Sequence, residues 1–430
     1  MLGVFIGALD NNIIAPAFSL ISRSFHVPMT WVAWTITAYT VAYVAATSLA
    51  GAAGDRFGRK RLFLLGIILF GAASALAAFA HVFWLFLCAR ALQGIGAGAV
   101  YPNAQAEGVA QFPQERRGMA LGLFGAVFGV ASIIGPNAGG ALAQYFGWQW
   151  IFLINIPIAV LVLLLSIGVS ETSRQEHALP DVAGSIAFAT FLATILLTLA
   201  IDTPLRWAFL AGALLSFAGF RWRQSVAATP FLDTGPLRGA QGIALISGAA
   251  LIGLDMSAAV FVPLLAQSIL HFSVFASGVA LMPAALSGAI FAGLGGMLTD
   301  RSGARLVLVI GLVAAVFGAM LLAWPGLTFL RFVIAMVLLG IGTAFTMGAP
   351  LNHLAIHLYG EESASQALSL VAVFRSIGLA AGPVLLTLAQ AWRGFSAMFS
   401  AVALASLIGA LLFATIPIRR EIPQPTRQHS

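Results

Sequence analysis

Four charged residues interrupt long apolar stretches of this sequence: Asp10, Arg90, Asp255 and Arg375. A carboxylate in such surroundings can bind and release a proton in the working pH range, because a low dielectric opposes its ionised form. An arginine there is costly and marks a functional position by default. A helix rises about 1.5 Å per residue. On that count Asp10 and Arg90 both fall in the middle third of their spans, so they are expected to be neighbours. Asp255 and Arg375 are expected to line a cavity or to form a second pair. Asn11, Asn12, Tyr39, Tyr43, Tyr101 and Asn103 add polar points to the N-terminal half. Ordinary interhelical hydrogen bonds account for most such groups; Asn12, Tyr39, Tyr101 and Asn103 are expected at the cavity.

The elements that position these groups follow from composition. The chain has 430 residues, with 21 Lys and Arg and 14 Asp and Glu, only 8% charged, and a mean hydropathy of +0.99. Soluble domains carry about 25% charged residues. A chain this poor in charge belongs in a bilayer, which excludes soluble enzymes and disordered scaffolds. The net charge of +7 is dispersed over short loops and forms no nucleic-acid footprint. Cys88 is the single cysteine, so no internal disulfide can form. No cleavable signal peptide is evident.

A bilayer-crossing helix needs about 20 mostly apolar residues. Apolar runs predict fourteen spans, near 2–21, 31–51, 62–81, 83–105, 118–145, 150–169, 182–201, 205–220, 241–269, 276–298, 306–324, 329–351, 364–389 and 395–417. The eighth is short, with a re-entrant hairpin as the alternative. With the N-terminus inside, fifteen Lys and Arg fall in inner loops and the tail, and four on the outer side. That bias predicts a multi-pass protein with both termini cytoplasmic.

The sequence also repeats itself. Asp10 matches Asp255, Asp55-Arg56 matches Asp300-Arg301, Gly94-Ile95-Gly96 matches Gly340-Ile341-Gly342, and Gly135-Pro136 matches Gly382-Pro383, all at nearly one offset. The organisation expected is a six-helix bundle over 1–169, a linker over 170–238 with two further helices, a second bundle over 239–417 and a tail over 418–430. Only nine residues precede Asp10, fewer than lead into Asp255 within its span, so a short preceding segment or a different start is expected.

Gly51, Gly54, Asp55, Arg56, Gly58, Arg59, Lys60 and Arg61 resemble the loop signature between the second and third helices of the major facilitator superfamily. The resemblance implies a conformational latch at Gly51, Asp55, Arg56, Gly58, Arg59 and Lys60, with a degenerate second copy at Asp300 and Arg301. Arg90, Gln93, Gly94 and Gly96 resemble the family's arginine-bearing fourth helix. The family's acidic residue before the following Phe-Pro is Ala110 here, with Glu107 one turn earlier as a substitute partner for Arg59. Gly122, Gly135, Pro136, Gly139 and Gly140 resemble the antiporter signature of drug:proton exporters, with Ala131 at its middle glycine; they imply a hinge at Gly135, Pro136, Gly139 and Gly140. Leu9, Asp10 and Ile13 partly match the first helix of fourteen-helix drug:proton antiporters.

The resemblance implies an all-α polytopic membrane protein of the major facilitator fold, two six-helix bundles plus two central helices. It further implies proton-coupled export of lipophilic, cationic drugs by alternating access, with Asp10 and Arg90 carrying the coupling. A proton gradient would supply the energy and no cofactor would be needed. The expected setting is the inner membrane, as a monomer or with periplasmic adaptor partners. The alternatives are an exporter of one metabolite, an uptake symporter and a transport-inactive membrane sensor. Thirty-two Phe, nine Trp and ten Met suit a broad apolar pocket, although core and lipid-facing positions also use them. His353 and His357 are four residues apart without a third metal ligand, and no GxxxxGK[ST] loop supports use of ATP.

Overall fold

Apolar runs in lipid leave backbone N–H and C=O groups no partner but their own segment, and helix is the result. The computed structural model describes residues 1–113, 117–168, 181–227, 239–347, 349–359 and 364–415, and excludes the side chains of 48, 51, 52, 55, 110, 117–122, 125, 349 and 364–366. The regular structure of the described residues is all helix, joined by turns and short coil, with no strand among them.

The first repeat comprises α1 (Leu2–Ile13), α2 (Phe18–Phe25), α3 (Met29–Phe57), α4 (Arg59–Ala78), α5 (Phe83–Ala110), α6 (Arg117–Tyr145), α7 (Trp150–Leu153) and α8 (Asn155–Leu165). Between the repeats lie α9 (Val182–Ala200) and α10 (Leu205–Val226). The second repeat comprises α11 (Ala240–Ser257), α12 (Val262–Ile269), α13 (Val274–Val279), α14 (Met282–Ser302), α15 (Ala304–Ala323), α16 (Phe329–Thr346), α17 (Ala349–Tyr359) and α18 (Ala364–Thr415).

Ten helices among the described residues are long and apolar enough to cross a membrane, fewer than the fourteen expected. The difference has identifiable sources. Non-helical backbone at Arg393 and Gly394 divides α18 into two segments that count as one helix. The stretch Trp150–Leu165 is apolar but short. The helices α3 and α10, of 29 and 22 residues, are less apolar: Trp, Tyr and Thr recur along α3, and α10 carries Arg206, Arg221 and Arg223. The eighth span is one continuous helix reaching Val226, not a hairpin.

The two repeats share local irregularities. A 3-10 turn over Ala15–Ala17 separates α1 from α2, and one over Ala258–Phe261 separates α11 from α12. His26 and His271, the non-glycine residues with positive φ, sit at 54° and 55° after α2 and α12. Gly58 and Gly303 have φ of 107° and 83°. The expected loop over 51–61 is therefore corrected: α3 runs to Phe57, α4 starts at Arg59, and the turn is Gly58 alone. That backbone geometry strains any residue with a Cβ, so one glycine is enough to reverse the chain.

The largest hydrophobic core draws on both repeats. Phe18, Phe86 and Phe152 join Phe261, Phe332 and Phe399 in it, all fully buried. The rings of Phe18 and Phe261 meet edge to face at 6.1 Å.

Candidate functional site

The buried charges are held by helix crossings that small residues permit. A Cβ on Gly94 would lie 2.2 Å from the carbonyl oxygen of Tyr39, so α5 and α3 approach backbone to backbone. That closeness brings Arg90 of α5 onto α1 and α3. Its Nη1 donates to Oδ2 of Asp10 at 2.5 Å, and both side chains are 0% exposed. Arg90 Nη1 also donates to Oε1 of Gln93 at 2.8 Å, and Nε to the carbonyl of Thr35 at 3.2 Å. The guanidinium lies 4.6 Å from the ring centre of Tyr39 and 5.6 Å from that of Phe152, so cation–π attraction adds to the pair.

The second carboxylate oxygen of Asp10 accepts from Asn155 Nδ2 at 2.9 Å and Gln93 Nε2 at 3.3 Å. Gln93 Nε2 also donates to the Ser74 hydroxyl at 2.7 Å, which donates on to the Phe70 carbonyl. Five helices thus converge on one buried carboxylate and its counter-ion. Asn155 and Ser74 were missed in the sequence; the signal for Asn155 is one amide at the head of the otherwise apolar run of α8.

The second repeat keeps the carboxylate and drops its network. At the repeat offset, Arg90 becomes Met336, Gln93 becomes Leu339, Ser74 becomes Ala319 and Asn155 becomes Val402. Asp255 is buried and accepts from the Ser406 hydroxyl at 3.0 Å. A pair between Asp255 and Arg375 does not form. Gly253 packs on the backbone carbonyl of Arg375, and Asp255, two residues on, points to the second segment of α18 instead. Arg375 is half-buried and, among the described residues, has no carboxylate partner.

The other residues expected at the cavity are placed as follows. Asn103 is buried against Gly54 and donates to the carbonyls of Ala50 and Ala99, tying α5 to α3 rather than facing a cavity. Asn12 is partly exposed, donates to the Ala8 carbonyl one turn back and lies against Gly135. The Tyr39 hydroxyl donates to Gly7 at 3.4 Å while its ring supports Arg90. The Tyr101 ring meets Phe128 at 5.5 Å.

In α6, Pro136 lies inside a continuous helix. A Cβ on Gly139 would lie 1.9 Å from the Ile13 carbonyl oxygen. One on Gly140 would lie 2.9 Å from the carbonyl oxygen of Val274, and the Pro136 carbonyl packs against Gly278. Gly135 and Gly139 therefore face α1, while Gly140 and Pro136 face α13 of the other repeat. At the expected latch, Lys60 donates to the Ile167 carbonyl at 3.3 Å, Arg59 opens α4, and Arg56 is exposed over the Phe57 ring. Asp300 and Arg301 are exposed in the last turn of α14. Gly51 and Asp55 lie in α3 and Gly122 in α6, with their side-chain surroundings outside what is described.

Several hydrogen bonds join the repeats, all but the Thr37 bond near the membrane face opposite Met1. Ser19 donates to Gln267 at 2.6 Å, Gln267 to the Pro16 carbonyl at 3.0 Å, the Phe275 amide to Gln144 at 2.8 Å, and Thr37 to the Ala380 carbonyl at 2.8 Å.

Two helical repeats packed on each other is the architecture of many secondary transporters. The peptide transporter POT, solved in complex with sulfate, shares this fold: its TM-score is 0.73 at 16% identity, over 96% of this chain and 92% of that one. In sequence, an uncharacterized MFS-type transporter of Bacillus subtilis (strain 168), YfiU, is 33% identical over 89% of this chain and 77% of its own length. Multidrug resistance protein 3 of the same organism is 28% identical over 89% of this chain and 76% of its own. The family profile described as Major Facilitator Superfamily matches residues 1–383 and again 243–429, the second match beginning with the second repeat. Repeat, fold and profile agree: the chain belongs to the Major Facilitator Superfamily, whose members are transporters rather than enzymes.

Proposed function

We propose that this transporter is a proton-coupled antiporter that exports lipophilic small molecules by alternating access. The observation carrying this reading is the fully buried Asp10–Arg90 pair within the first repeat. A proton arriving at Asp10 removes the charge that holds Arg90, and the guanidinium must then find other partners. Such a swap of partners inside a bundle gives one proton leverage over helix packing. The names of relatives support export, since one is a multidrug resistance protein.

The fourteen-span organisation belongs to the same proposal: six helices over 1–169, two within 170–238 and six over 239–417, in the inner membrane with both termini cytoplasmic. The charge bias supports that orientation. In it the cross-repeat hydrogen bonds close the outer side, as an inward-facing state requires. The carrier works as a monomer or with periplasmic adaptor partners, and draws its energy from the proton gradient. The segment around Gly58 gates the inner side and α6 is the seam on which the bundles rock.

The test is proton movement in inverted membrane vesicles with an acidified lumen. Adding a lipophilic substrate should release lumenal protons, and Asp10→Asn should abolish that release. Normal exchange by Asp10→Asn would remove Asp10 from the coupling role. Absence of proton movement with every compound tried would leave an exporter of one defined metabolite as the better reading.

A further inference from the structure

The two repeats carry a carboxylate at equivalent positions and surround it differently. Asp10 is sealed and meets a cation, Arg90, so its charge is balanced where it lies. Asp255 meets none. Its Oδ1 accepts from the Ser406 hydroxyl at 3.0 Å, and Oδ2 has no hydrogen-bond partner among the described residues. No ion pair among those residues includes it. The charged and titratable groups of the elements packed on α11 leave it alone. Arg375 lays its backbone carbonyl against Gly253, and His353 and His357 of α17 are exposed. Met336, Ala319 and Val402, which stand where the first repeat has Arg90, Ser74 and Asn155, are fully buried in the largest core.

The second repeat does supply one donor of its own. In α8 Asn155 is followed one turn later by Ala159; at the repeat offset these become Val402 and Ser406. The donor on the last helix of the repeat has moved by one turn and changed from an amide to a hydroxyl. A single hydroxyl suits a neutral acid, whose C=O oxygen accepts the hydrogen bond and needs no counter-ion. An ionised carboxylate buried with one neutral donor leaves most of its charge uncompensated, which is costly. Asp255 also keeps 6% exposure where Asp10 has 0%, so it is the less sealed of the two.

We propose that Asp255 is a second proton-binding site, filled in this state, which holds its proton as a neutral carboxylic acid beside Ser406 and gives it up to water in each transport cycle. The proton leaves Oδ2 while Ser406 continues to donate to Oδ1, so the hydrogen bond outlasts the transfer. The role in exchange rests on the export reading above; the presence of the proton does not. A consequence concerns charge. Exchanging one monovalent cation outward for one proton inward moves no net charge. With two protons, one positive charge moves inward, and an inside-negative potential drives the exchange.

The experiment is infrared spectroscopy of the purified full chain in lipid nanodiscs. At neutral pH the wild type should show a carboxylic-acid C=O band that shifts on transfer to heavy water and disappears reversibly as the pH is raised. Asp255→Asn should remove that band and Asp10→Asn should leave it in place. Ser406→Ala should raise its frequency, because the hydrogen bond to the C=O is lost. An amide has nearly the shape of the neutral acid, so Asp255→Asn should unfold at the wild-type temperature; should it not fold, Ser406→Ala carries the assignment. A band indifferent to these two substitutions means that Asp255 is ionised and overturns the proposal. A band that neither exchanges deuterium nor titrates marks a sealed packing group and overturns it too. In inverted vesicles with an acidified lumen, each ethidium taken up should release two protons in the wild type and one in Asp255→Asn. A lumen-positive potential imposed with valinomycin should accelerate exchange in the wild type alone. Equal proton release by the two proteins overturns the role in exchange. An acid band that behaves as expected, in a protein that moves no protons with ethidium or any other compound tried, overturns the export reading and leaves the proton site standing.

Discussion

Asp10 illustrates how much a single residue depends on its neighbours. Its carboxylate has three side-chain donors, Arg90, Gln93 and Asn155, and no exposure. Removing one partner of a buried pair leaves an uncompensated charge and costs about 3–5 kcal/mol. Arg90→Met should therefore destabilise the protein by about that amount, read by chemical unfolding in mixed micelles. The second repeat carries Met336 at the equivalent position. Adding Asp10→Asn to Arg90→Met should recover a large part of the loss, because the orphaned charge is gone. A double variant no more stable than Arg90→Met would show that packing of the guanidinium, and not its charge, holds the crossing. The pairing of Asp10 with Arg90 could be read from depth alone. The rest of the shell could not, since Ser74 and Asn155 come from helices whose rotation about their axes no single span specifies.

Among the elements, α6 presses small residues on both repeats. Gly139 presses on α1 and Gly140 on α13. Gly139→Ala should cost about 1–3 kcal/mol, because a methyl group has no room beside the Ile13 carbonyl. Gly129, on the same helix, has open space, so Gly129→Ala should be neutral or slightly stabilising. Thermal unfolding of the two variants in parallel checks both expectations. At the turn between α3 and α4, Gly58→Ala should cost about 1–3 kcal/mol through backbone strain, measured in the same way. The motif predicts a glycine turn there; its reduction to one residue depends on two helices continuing almost to contact, which composition does not reveal. Asn103 marks the opposite limit. Its polarity predicts a cavity position, yet the space over Gly54 draws it into the crossing of α3 and α5.

The whole molecule is closed on the face opposite Met1, where Ser19 meets Gln267 and Phe18 meets Phe261. In a rocking transporter these contacts must part in each cycle. A Ser19→Cys, Gln267→Cys protein, with exposed Cys88 replaced by Ser, should stop exchanging once a short bifunctional thiol reagent joins the repeats. The uncrosslinked variant should retain exchange, with the proton-release readout distinguishing the two. Exchange surviving the crosslink would mean that the outer face stays shut during transport. The two repeats share kinks and turns but not polar cores, and that asymmetry gives their buried carboxylates different surroundings.

The amino-acid sequence by itself determined the membrane class, the helical content, the duplication and the four buried charges. Each follows from local quantities: apolar run length, residue type and a constant offset between copies. Only the tertiary structure decided which charges neutralise each other. Asp10 and Asp255 occupy equivalent positions, yet one meets an arginine and the other a serine, because partners arrive from helices far away in the chain. Arg375 is left without a carboxylate partner among the described residues for the same reason: Gly253 takes its backbone carbonyl, and Asp255 turns elsewhere.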